Sequence, residues 1–197
     1  MPKLGMGPLR RRQLVDATIA SIHEFGLADT TVTRIAKKAG VSPGIIHHYF
    51  ADKDELLFEA MRLMLKNLRS QAVVRLRIAS TPRARINAII EASFAPEQFS
   101  PQVTTAWLAL YASARQSKSL TRILTLYHRR LHSNLIFNLK QISSSPAHDQ
   151  LAETIAAMID GLYLRGALNP SLYETTKPKK IVSDFIHVAL AQGGNYA

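Results

Sequence analysis

Gly40-Val41-Ser42-Pro43-Gly44 reads G-x-S-x-G, the spacing that holds a serine nucleophile on a sharp turn. That chemistry needs an apolar strand running into the turn. The preceding residues, 34–39, are charged and helical in period, so the motif stands out of context and a hydrolase is disfavoured. His128 and His132 stand four apart on one helix face, a spacing zinc can use. Arg129 and Arg130 sit beside them and no third ligand follows, so the pair reads as a polar helix face. The chain has no cysteine, which excludes a disulfide framework, a thiol nucleophile and thiolate-bound zinc or iron–sulfur clusters. No positioned set of acid, base and nucleophile emerges. The expectation is a protein that is not an enzyme and needs no cofactor or metal.

A sharper pattern runs from Thr31 onward. Val32 to Ala39 reads as a short helix, capped by Thr31 or Thr30 and stopped at Gly40. Ser42 reads as the cap of a second short helix, with Pro43 at its first position, where a missing N–H costs nothing. Two short helices joined at Gly40-Val41 have the size of a helix-turn-helix, with Val41 as the plug between them. In such a unit the second helix enters the major groove and the first crosses the phosphate backbone. The second helix is expected to present Ser42, Pro43, Gly44, Ile46, His47 and His48. Its small first residues allow close approach, and imidazoles donate or accept at base edges. Thr31 and Thr33 at the first helix's start, with Tyr49 and Lys53, suit phosphate.

The 28 residues from Thr30 to Leu57 resemble the DNA-binding signature of TetR-family repressors. The matching features are Ile35-Ala36, Gly40-Val41-Ser42, Gly44, Tyr49-Phe50, Lys53 and Leu56. His47 stands where the family commonly has a tyrosine. The opening M-P-K-L-G-M-x-P-x-R-R, the G-I-I-x-H-Y-F of the second helix and the late I-D-G-L-Y-L-R-G-A-L extend the likeness. They resemble one branch of that family, the choline-responsive repressors of glycine betaine synthesis genes, over nearly the whole chain. That branch often carries Trp at the position of Tyr163. The resemblance implies a homodimer on a roughly palindromic double-stranded operator, released by choline or a related cation.

Aromatic faces attract quaternary ammonium ions. Trp107 and Tyr111, four apart, share a helix face, and Phe94, Tyr127 and Tyr163 come from other helices. Each is open to a plainer role as core. From Arg62 to His148 there are 13 basic residues and two acids, Glu91 and Glu97. Glu91 lies on a largely apolar helix, as a counter-charge for the ligand or as an ion pair to Arg83 or Arg85. Asp160 is open in the same way: ligand acid, or partner of Arg165 or of an arginine across a dimer. Leu151, Ile155, Ile159 and Leu162 make one apolar stripe, and Ile181, Phe185 and Val188 a second. Gly161 and Gly166 permit close helix approach. The resemblance suits both stripes to a four-helix dimer interface; packing into the chain's own core is the alternative.

The elements that must position these residues are helices throughout. No run alternates at period two for long and no Asn-Gly or Asp-Gly hairpin signal appears. The pattern predicts an all-α fold of about nine helices. The resemblance implies a three-helix DNA-binding head over 1–52 and a helical effector-binding and dimerisation domain over 53–197. Asp52 reads as the cap of a long helix from Lys53 to Ile78 that links them. Later helices are expected at 82–94, 102–115, 119–141, 147–168 and 176–191. Composition fits: 197 residues at 47% hydrophobic and 20% charged can bury a core.

The net charge of +11 favours an anionic partner. It is not concentrated in the head. Residues 1–60 carry eight basic and seven acidic side chains, against 17 and seven in 61–197. Within the head, Lys3, Arg10, Arg11, Arg12, Arg34, Lys37 and Lys38 all precede the second helix. The longest charge-free run, 98–114, has 17 residues and is too short and polar to span a membrane. The N-terminus has no apolar stretch of signal-peptide type. A cytoplasmic protein is expected. The rivals are a TetR-type regulator of an apolar drug or fatty acyl ligand, a small all-α enzyme and a membrane-surface protein.

Overall fold

The computed structural model describes residues 6–144, 146–169 and 176–191. Among them are nine α-helices and no strand: α1 (Met6–Asp29), α2 (Val32–Ala39), α3 (Pro43–Tyr49), α4 (Lys53–Ile78), α5 (Pro82–Ser93), α6 (Pro101–Ala114), α7 (Lys118–Leu139), α8 (His148–Leu168) and α9 (Thr176–Ala191). The two-proline break after α5 holds one 3-10 turn, Pro96–Phe99. Pro43, Pro82 and Pro101 each open a helix, where no intrahelical donor is lost. Lys3, and the turn residues Ser145, Pro170 and Ser171, lie outside the described residues. No helix among the described residues is long and apolar enough to cross a membrane.

The chain divides into two compact units. The first comprises residues 1–66 and 100–123, and the second 67–99 and 124–197. This division follows packing: α6 joins α1 to α3 in the first unit, where α1 lies along both α2 and α6.

In the first unit the boundaries follow local chemistry. Gly26 breaks α1 at φ 73°, ψ 167°, a backbone that suits glycine. The Thr31 hydroxyl accepts the Arg34 N–H at 3.2 Å and starts α2. Gly40, left-handed at φ 65°, ends α2 in a Schellman arrangement, with the Val41 N–H on the Ala36 carbonyl at 3.0 Å. Asp52 and Glu55 together hold the start of α4. The Glu55 N–H reaches Asp52 at 2.7 Å, and the Ala51 N–H reaches the Glu55 carboxylate at 2.8 Å. Ser42 departs from expectation: it has the extended cap backbone, but its side chain makes no capping bond.

Leu14, Ile35, Ala36, Ile46, Phe50 and Leu56 form the core of the head, with Val41 packed against it as the expected plug. Burying each large aliphatic or aromatic side chain there contributes about 1.5–3 kcal/mol. In the second unit α5, α8 and α9 pack on one another. α8 buries Leu151, Ala152, Ile155, Ile159 and Tyr163, while α9 buries Val182, Ile186 and Ala189.

Candidate nucleic-acid interface and effector region

In the first unit, the rotation of α3 about its axis decides what it shows. Ile46 is 1% exposed and anchors the helix in the core. This corrects its expected place on the presented face. The step of 100° per residue turns its neighbour Ile45 outward, and Ile45 is the exposed isoleucine. Ser42, Pro43, Gly44, His47 and His48 are exposed as expected. A Cβ at Gly44 meets only the Ser42 hydroxyl, at 3.9 Å, so the helix start is open to close approach. Thr31 and Thr33 are exposed at the start of α2, with the Thr31 hydroxyl serving as its cap. Tyr49 is half-buried, packed against the core and edge-on to His48 at 5.0 Å. Lys53 is half-buried and its ammonium reaches the Leu27 carbonyl at 3.4 Å.

The basic residues of the head are largely engaged with the head itself. Arg11 donates to the Tyr49 carbonyl at 2.7 Å and to Glu55 at 2.9 Å, lies 3.8 Å from Glu59 and stacks over Phe50 at 4.3 Å. One guanidinium thus ties α1 to the end of α3 and the start of α4. The Ala51 N–H and then the Arg11 guanidinium hold the Glu55 carboxyl below its usual range. Arg12 pairs with Asp16 and Lys38 with Glu24. Arg34 donates to the Asp29 carbonyl and covers Phe25. Lys37 is exposed.

Trp107 and Tyr111 also belong to the first unit. Their rings stack at 5.8 Å, as the i, i+4 spacing predicts; Trp107 is buried and Tyr111 half-buried.

The other effector candidates belong to the second unit. Phe94 is fully buried and stacks on Phe99 at 6.4 Å; Phe99 meets Tyr163 at 5.1 Å. The Tyr163 hydroxyl donates to the Gln98 carbonyl at 2.8 Å. Phe99 was missed in the sequence because it sits in a proline-rich break with no helical period to place it. Asp160 accepts from the Tyr127 hydroxyl at 2.9 Å and lies 3.2 Å from His128. Neither partner was among those its sequence position suggested.

The hydrogen bond to Asp160 raises the His128 pKa, against partial desolvation, and the charges of Asp160 and Glu153 add to it. His132 lies 3.6 Å from Asp149 and 3.9 Å from Glu153. The histidine pair therefore works as a polar face of α7 turned to α8, and no three-ligand metal cluster occurs among the described residues. Glu91 is exposed, with no ion pair to Arg83 or Arg85 among the described residues. Arg85 instead donates to the Leu76 carbonyl. The side-chain oxygens of Asn87 and Asn138 are buried without a donor among the described residues, a feature with no sequence signal.

The first apolar stripe takes the second of its two expected roles. Leu151, Ile155, Ile159 and Leu162 are 0–9% exposed and pack into the chain's own core. Gly166 is buried with them, whereas Gly161 is exposed. The second stripe stays outward: Ile181 is 37% and Val188 50% exposed, with Phe185 half-buried between them. On α8, Leu164 and Leu168 are also exposed.

Comparison with known proteins agrees with this architecture. Residues 14–60 match the model "Bacterial regulatory proteins, tetR family", and residues 82–191 match "BetI-type transcriptional repressor, C-terminal". The HTH-type transcriptional regulator BetI of Brucella abortus (strain 2308) is 45% identical over 191 residues, covering 97% of this chain and 96% of that protein. Its counterpart in Rhizobium meliloti (strain 1021) is 40% identical over 195 residues, 99% and 96% of the two chains. Among solved structures, a transcriptional regulator of Rhodococcus sp. Rha1 superposes with a TM-score of 0.83 at 23% identity, over 95% of this chain and 99% of that one. A protein of Saccharomonospora viridis solved in complex with choline gives 0.78 at 20% identity, over 91% and 96%.

The class is thus a helix-turn-helix transcriptional regulator of the TetR family, not an enzyme. Within that family the chain belongs to the BetI type.

Proposed function

We propose that this regulator is a repressor that binds a roughly palindromic operator as a homodimer and is released by choline or a closely related cation. The observation that carries the DNA-binding part is the bare face of α3. Ser42, Pro43, Gly44, His47 and His48 are exposed on a helix pinned from behind by Ile46 and Phe50. Pro43 and Gly44 let the helix enter the groove closely, and the two imidazoles meet base edges or phosphates. Thr31, Thr33, Tyr49 and Lys53 contact the phosphate backbone and set the docking register. Residues 1–52 carry this task and residues 53–197 carry effector binding and dimerisation.

Dimerisation uses the outward apolar residues of the last two helices, Leu164, Leu168, Ile181, Phe185 and Val188, with Gly161 allowing close approach. The effector candidates are Trp107 and Tyr111 in the first unit, and Glu91, Phe94, Tyr127, Asp160 and Tyr163 in the second. The effector reading is supported by the BetI-type match over residues 82–191 and by the related fold that holds choline. Asp160 with Tyr127 offers the negative charge and ring face that a quaternary ammonium ion needs. The ligand acts by binding one arrangement of the dimer better than the other.

An electrophoretic shift on the DNA upstream of the chain's own gene tests this, run with and without choline. The expected result is a specific complex that choline dissolves. A complex unaffected by choline but dissolved by a fatty acyl compound refutes the choline assignment. Preference for anionic vesicles over any specific duplex refutes the DNA-binding role.

A further inference from the structure

The one branched aliphatic side chain on the outer face of α3 is Ile45, which is 38% exposed. It follows from the rotation that Ile46 imposes. Ser42, Ile45 and His48 recur at three-residue intervals, so they lie along one face of the helix. All three are exposed, and Gly44 beside Ile45 adds no bulk that keeps a ligand away. A branched aliphatic side chain has no hydrogen bond to offer. Among the four bases, the major groove displays one methyl group, the C5-methyl of thymine.

We propose that Ile45 is a specificity-determining residue that reads a thymine methyl at a fixed position in each operator half-site. This rests on the DNA-binding reading and adds which base one side chain selects and by what chemistry. The flanking polar residues Ser42 and His48 contact groups on either side of that base, so the apolar contact is held in register. A neighbouring apolar site for Ile45 within its own unit is not needed, because Ile46 already closes the core beneath it.

Replacing thymine by deoxyuridine removes only the methyl and keeps every hydrogen-bonding group. The test uses full-length protein and duplexes in which each symmetry-related pair of operator thymines is replaced in turn. For the wild type, one pair is expected to weaken binding by roughly fourfold per half-site, the worth of one buried methyl group. Ile45→Ala is expected to bind thymine and uracil duplexes equally at that pair while retaining its melting temperature. Ile45→Val is expected to keep part of the discrimination, and His47→Ala all of it. Equal binding of all the substituted duplexes by the wild type overturns the proposal and leaves the DNA-binding reading standing. So does a thymine preference that survives in Ile45→Ala. A wild type that binds the upstream DNA no better than a scrambled duplex overturns both.

Discussion

Helix α3 of the first unit and the α7–α8 region of the second use their histidines in opposite ways. In the first, His47 and His48 stand on an exposed helix face, and His48 touches only the edge of Tyr49 among the described contacts. In the second, His128 and His132 face carboxylates on α8, and His148 is buried against the Ser143 hydroxyl at 3.0 Å. The same contrast holds for other polar groups. Around α3 the polar side chains that bond, such as Arg11 and Asp52, bond away from its outer face. In the second unit, Tyr127 and Tyr163 turn their hydroxyls inward to Asp160 and the Gln98 carbonyl. A face left unsatisfied by its own chain is suited to an outside partner with many donors and acceptors. An interior whose polar groups bond one another, beside aromatic rings, is suited to a small ligand that exchanges for one of those bonds.

The contrast breaks most visibly at neighbouring isoleucines. Ile46→Ala is expected to destabilise the head by about 2–5 kcal/mol, while exposed Ile45→Ala stays within about 0.5 kcal/mol. Urea unfolding of both variants checks this; equal losses would show that α3 is rotated differently.

On the bare face, His47→Ala is expected to cost about 1–3 kcal/mol of discrimination between operator and altered sequences. Lys53→Ala instead weakens all duplexes alike and flattens the salt dependence. Competition binding at several salt concentrations separates the two, and an identical pattern for both variants would remove the division between reading and positioning residues.

In the second unit, Tyr163→Phe leaves the buried Gln98 carbonyl without its tyrosine donor and is expected to cost about 1–3 kcal/mol. Calorimetry should show that loss without any change in sequence preference on DNA. A changed operator preference would mean that the tyrosine does more than hold its own unit.

Asp52→Ala removes the cap of α4 and should cost about 1 kcal/mol, measured by urea unfolding. No loss would mean that the bond from the Ala51 N–H to Glu55 suffices to hold the start of α4.

The smallest effect is a pH dependence. The His128 pKa is raised by Asp160, so the pair stabilises the fold fully below the usual imidazole pKa of about 6.5. That stabilisation is lost as pH rises through the higher folded value. His128 is half-exposed, so the amount is at most about 1 kcal/mol. The melting-temperature gap between wild type and His128→Gln should shrink with rising pH, and a constant gap would show that His128 contributes by packing alone.

Helix boundaries were readable because their causes are local. Thr31, Gly40, Pro43, Asp52, Pro82 and Pro101 act through their own backbone or that of residues three or four away. The same locality made α3 readable to within one residue, but that residue mattered. Ile45 and Ile46 are identical in type and adjacent, so composition and spacing could not say which faced the core. Ser42 fits the cap pattern, yet its hydroxyl is not needed there. In the second unit the candidates were readable as types and unreadable as pairs. Tyr163 bonds a residue 65 positions away, and Tyr127 one 33 positions away.

By itself, then, the sequence determined the all-α fold, the helix ends, the helix-turn-helix and the family, because each depends on short-range chemistry or an ordered motif. Tertiary packing alone decided which isoleucine of α3 meets solvent, and that Asp160 is held by Tyr127 and His128. It also decided that the α8 stripe fills the chain's own core while the α9 stripe stays outward. These depend on the rotation of each helix against its neighbours. That rotation is set by the sum of many side-chain contacts distant in sequence, a quantity no local pattern contains.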